Sequence, residues 1–219
     1  MRGIEFVKPS TRFLMAVLLM MGLNSGGFAG EKTVIPYEAS YMGIALLNMT
    51  LTWEELDSTI QITYNNQLKP FIAYFHPIHN IYRVHFNKES YEPLFWSKKV
   101  SEGSMNFLLE AIRSDDGLNV QYSNGELRSF PADALTVFSA THFLASKANT
   151  PGFFPRILKV YIDGEIWNAK ATRYSVTHPH PEIKLAPQQV LIQTDLHYLE
   201  GDRVMDENDI LMDVIANEG

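Results

Sequence analysis

The sequence predicts a mainly β protein, a curved antiparallel sheet or a β-barrel with one packed α-helix. Three observations carry that expectation. Several runs alternate apolar and polar residues with period two, the pattern of a strand with one buried face. Asp116-Gly117, Asn124-Gly125 and Asp163-Gly164 each lie between such runs, and these pairs accept the positive φ of a tight hairpin turn. One stretch has helical periodicity instead.

From the N-terminus, residues 1–29 read as a signal peptide. Arg2, Lys8 and Arg12 make a basic start, residues 13–23 are apolar, and Gly27-Phe28-Ala29 offers the small-x-small pattern that precedes cleavage. The run is shorter than the ~20 apolar residues of a membrane span. An uncut anchor stays open as the alternative. Cleavage after Ala29 would leave residues 30–219 as a single β-rich domain, secreted to the periplasm, with no transmembrane span.

Strands follow. STIQITY alternates Ile60, Ile62 and Tyr64 against polar neighbours. IYRVHF sets Tyr82, Val84 and Phe86 against Ile81, Arg83 and His85. Residues 156–174 read as a hairpin turning at Asp163-Gly164, and residues 189–199 as a further strand; an antiparallel meander is the natural topology. Residues 131–147 read as the helix. Pro131 suits a first turn, Asp133 faces the positive end of the dipole, and Ala134, Leu135, Val137, Phe138, Leu144 and Ala145 share a side, with His142 at its rim. Three prolines in residues 177–187 make that stretch a loop.

The formal net charge is −7, and residues 1–29 hold more basic than acidic side chains, so the remainder is more acidic still. With no basic run, nucleic acid is excluded as a partner. There is no cysteine, which removes thiol catalysis, thiolate metal sites and lipid attachment through an N-terminal cysteine. No cofactor motif is present: neither a phosphate-cradling glycine loop nor a Gly-x-Ser-x-Gly elbow occurs.

Seven histidines raise the question of metal. His76 and His79 flank Pro77, which would break the helix that such spacing usually needs. On a strand they would face opposite ways. His178 and His180 form a His-x-His pair, which on an extended segment puts both rings on one side, near Glu182. These four are weak metal candidates; ordinary polar side chains are the competing reading. Asp195 and His197 share a strand face, and a distant serine could complete a triad, but any β protein of this size would show such a pair, so no catalytic residue is assigned.

The chain has 13 phenylalanines, 10 tyrosines and 3 tryptophans. They suit a β core, or a groove for an apolar or glycan ligand. Tyr82, Val84, Phe86, Phe138, Tyr161, Trp167 and Tyr198 are the groove candidates.

Short motifs across most of residues 35–200 resemble an exported bacterial family, a domain of unknown function (DUF3108-like). Tyr37, Ser40, Tyr41, Gly43 and Ile44 match its opening strand, and Tyr82-Arg83-Val84 a later one. Pro93, Leu94, Glu102 and Gly103 match the next step, and Asp133, Leu135 and Thr136 the start of its helix. The chain departs from the pattern at Ala45-Leu46-Leu47-Asn48, where a second glycine is usual, and at the end of the helix, where an arginine is missing. The final strand pair is absent from its last residues too. The resemblance implies an exported curved sheet or barrel with a helix, similar in plan to lipoprotein-carrier or lipocalin-like folds, and brings no catalytic residues.

The expected function is non-catalytic binding of a lipid or other amphiphile in a concave sheet. The alternatives are an interaction or assembly subunit of a cell-envelope complex, with an envelope protein as partner, and an envelope glycan or ester hydrolase.

Overall fold

The computed structural model describes residues 32–41, 44–75, 77–181, 184–187, 189–202 and 204. The signal-peptide reading and His76 lie outside the described residues.

Two sheets account for the strands. The larger orders β1 (Lys32–Tyr41), β2 (Ile44–Glu55), β3 (Thr59–Leu68), β4 (His79–Asn87), β5 (Pro93–Glu102), β6 (Met105–Arg113), β7 (Asn119–Tyr122) and β8 (Leu127–Ser129) as an antiparallel meander. A single helical turn, α1 (Pro70–Ala73), interrupts the connection from β3 to β4. The smaller sheet orders β12 (Leu191–Glu200), β11 (Glu165–Tyr174), β10 (Arg156–Ile162) and β9 (Ala134–Thr136). The longer helix α2 (Val137–Ser146) joins β9 to β10.

The alternation seen in sequence decides the faces. On β4, Tyr82, Val84 and Phe86 are buried while Arg83 is exposed. On β3, Ile60 and Ile62 turn to the same side. The expected hairpin is β10 and β11, with Asp163 at φ 47° and Gly164 at φ 104° in its turn.

Three expectations need correction. No barrel closes among the described strands. Closure needs the outer strands to hydrogen-bond to each other, whereas β1 pairs only with β2 and β12 only with β11. The arrangement is not the closed up-and-down barrel of a lipocalin. The helix begins later than its periodicity suggested. Ala134, Leu135 and Thr136 are all buried and pair with β10 as a strand. Thr136 then caps α2: its Oγ1 accepts from the Ser139 amide, and the Ser139 hydroxyl accepts from the Thr136 amide. Neither Pro131 nor Asp133 belongs to the helix. Finally, β9 and β10 are parallel, because strands joined through a helix can return in the same direction.

Helix α2 lies between the sheets. Its Ala140 packs with Leu135, Val160, Ile162, Trp167 and Ala169 of the smaller sheet. Its Phe138 packs against Leu51, Ile60, Ile62, Val84 and Phe86 of the larger. Beyond the helix the sheets meet directly, where Leu109, Ala111, Val120 and Tyr122 join Phe130, Tyr161 and Ile166 in one cluster.

Candidate functional site

The expected groove is the space between the sheets, and α2 occupies it. The Phe138 ring stacks on Tyr64 at 4.5 Å and lies 5.5 Å from Tyr82. Tyr82, Phe138 and Tyr161 converge on a cavity of about 30 Å³, shared with Arg83, Ser97, Lys98, Thr136 and Asp163. A water needs roughly 10–15 Å³ by this measure, so the cavity holds about two. Val84 and Phe86 are fully buried beside it, and Trp167 is buried on the smaller sheet. Tyr198 stands apart on β12, half exposed, its hydroxyl donating to the Gly201 carbonyl at 2.7 Å and its ring edge-on to Trp167.

Lys98, Asp163, Tyr122 and Tyr161 of this region have structural partners. Lys98 of β5 pairs with Asp163 in the β10–β11 turn, an ion pair that ties one sheet to the other. Breaking such a pair on one side strands a buried charge. The Tyr122 hydroxyl donates to that of Tyr161 at 3.1 Å, and burial raises both phenols above their ordinary range. His142 is buried against Trp53, Phe86 and Tyr91, and desolvation pulls its pKa down to about 4. Asp116 is lowered by hydrogen bonds from Ser114 and the Leu118 amide, on an exposed turn. These shifts do not fall on an acid and a base sharing a cleft.

The histidine candidates are scattered. His79 faces outward and bonds Asn65 Oδ1 through Nε2 at 3.0 Å. His178 is exposed beside Thr177, while His180 is buried with its ring edge-on to Tyr174. The chain bends at residues 176–178 as it enters the pair, closed by reciprocal backbone bonds between Ser175 and His178. Among the described residues no group of three or more His, Asp or Glu side chains could hold a metal ion.

Two features were not singled out from sequence. Asn66, Asn80 and Glu102 are buried on the inner face of the larger sheet, with Asn80 donating to Glu102 and accepting from the Ser101 amide. The other is α1 with the turn that follows it, where Phe71 is 59%, Tyr74 85% and Phe75 83% exposed. The signal for it was present: residues 71–75 are all apolar or aromatic and follow Lys69-Pro70, which breaks the alternation of β3.

No family model, curated protein or solved structure matches the chain.

Proposed function

We propose that this protein is a non-catalytic binding protein of the cell envelope that engages its partner through its outer surface, as an interaction or assembly factor. One observation carries the reading. The space between the sheets is taken up by α2, and the cavity beside Phe138 is about 30 Å³. Pockets for small ligands run to roughly 300–1,000 Å³, so an amphiphile carrier would need the helix displaced. The envelope location and the DUF3108-like membership belong to the same proposal and rest on the N-terminal pattern and the short motifs.

The test is native mass spectrometry on protein purified gently from its own source. The expected result is the bare mass of the chain. A discrete adduct that disappears in organic solvent would overturn the surface reading and restore the carrier.

A further inference from the structure

We infer that the inner face of the larger sheet holds a small hard cation, an alkali or alkaline-earth ion, at Glu102 and Asn66. The inference goes beyond the surface reading above: it concerns an interior site and stands or falls independently of any partner.

The buried faces of three adjacent strands turn polar at the same end. β3 runs Ile60, Ile62, Tyr64 and then Asn66; β4, read backwards, runs Phe86, Val84, Tyr82 and then Asn80; β5 reaches Val100 and then Glu102. Asn66 is 3%, Asn80 2% and Glu102 5% exposed. Asn66 stands directly opposite Asn80, a placement that sets Cβ atoms about 4.5–5.5 Å apart on one face. Glu102 stands opposite Ile78, the next residue after Asn80 on that face. Apolar side chains at all three positions would serve packing alone, and a buried polar network that is only partly satisfied is worse than an apolar core.

This network is only partly satisfied. The Asn80 amide is turned to other groups: its Nδ2 donates to Glu102 Oε1 and to the Tyr82 hydroxyl, and its Oδ1 accepts from the Ser101 amide. Asn66 Oδ1 and Nδ2 are buried with no hydrogen-bond partner among the described residues. Glu102 meets no cationic side chain among them either. Lys98, on the same face of β5, pairs with Asp163, and Lys99 is exposed on the other face. Buried charges are otherwise paired or bound to metal ions.

A cation answers both deficits. Glu102 supplies the charge and Asn66 Oδ1 a neutral oxygen, while water completes the shell and accepts from Asn66 Nδ2. Asn80, by holding Oε1, positions the carboxylate. The cluster offers carboxylate and amide oxygens but no thiolate or imidazole, and such a donor set selects hard ions over transition metals. It has one acidic side chain and so differs from the groups of three or more sought above; amide oxygens are ordinary ligands of calcium. A bridging water alone would satisfy Asn66 but leave the Glu102 charge unmet.

The test is thermal unfolding of the full chain, exchanged into choline chloride and then compared in sodium, potassium and calcium chloride at matched ionic strength. Choline is too large for the site, so it reports the effect of ionic strength alone. At least one of the three metal ions should raise Tm by roughly 3 °C or more at about 10 mM. Glu102→Gln keeps the shape and can still accept from Asn80. It should lose that increment, yet be no less stable than the parent in choline, because it removes an unpaired buried charge. Asn66→Asp adds a second carboxylate to the site. It should be destabilised in choline and gain more from calcium than the parent does. Equal Tm in all four salts would overturn the proposal. An increment that survives in Glu102→Gln would also overturn it, by placing the ion elsewhere on the acidic chain. So would an Asn66→Asp variant that calcium stabilises no more than the parent.

Discussion

His142 lies 4.1 Å from the Trp53 ring centre and within 5.6 Å of those of Phe86 and Tyr91. Nothing in this aromatic setting stabilises an imidazolium enough to offset its desolvation, so the folded pKa falls to about 4 from an ordinary 6.5. As pH drops, the unfolded chain takes up this proton first. The contribution is therefore fully present above about pH 6.5 and is lost progressively down to about pH 4, a change of roughly 3 kcal/mol. Urea unfolding across that window should show the loss, and His142→Leu should remove this part of the slope while the carboxylate part remains. The sequence put His142 at the rim of an apolar stripe, because a helix read alone has one buried face. Here α2 is covered from both sides, so Ser139, Ala140, His142 and Leu144 are all buried.

Among the elements, the hairpins were the most legible. Turn pairs such as Asn124-Gly125 mark chain reversals through local φ preferences, which need no distant contact. Strand β9 was not legible, since Ala134 and Leu135 fit a helical period equally well and only pairing with β10 decides between them. The close approach of two turns was not legible either. A Cβ at Gly201 would stand 2.4 Å from the Gly164 carbonyl oxygen, and one at Gly164 2.3 Å from that of Asp202. Both glycines have φ above +100°. The contact holds Val204 in the core, where its amide donates to the Asp163 carbonyl at 2.8 Å. Gly201→Ala should therefore cost more than the roughly 1–3 kcal/mol of an unfavourable backbone alone. Gly125→Ala is the control: its φ is 91° but nothing lies within 4 Å of the added Cβ. Thermal unfolding of the two variants should separate steric from conformational cost, with Gly201→Ala the less stable.

For the whole molecule, the mainly β character was readable from Tyr82, Val84 and Phe86 and their like. The division into two sheets was not, because the period of a strand does not say which sheet it joins. Of the groove candidates, Tyr82, Val84, Phe86, Tyr161 and Trp167 are buried and Tyr198 is half exposed, and sequence could not show that Phe138 would sit over Tyr64 and fill the space. The exposed aromatics of α1 and the turn after it were missed for a related reason: an apolar run in a loop looks the same in sequence whether the fold covers it or not. The order of the strands also has a consequence in time. Neighbours in the larger sheet are neighbours in the chain, so its hairpins close over short loops. The contacts that join the sheets span much longer ones: 39 residues separate Tyr122 from Tyr161, and 65 separate Lys98 from Asp163. Closing the longer loops costs more entropy before any contact repays it, so the meander should form early and the sheets clasp late. Stopped-flow folding would read that order. Val84→Ala, inside the meander, should slow refolding, whereas Tyr161→Phe, at the clasp, should mainly hasten unfolding.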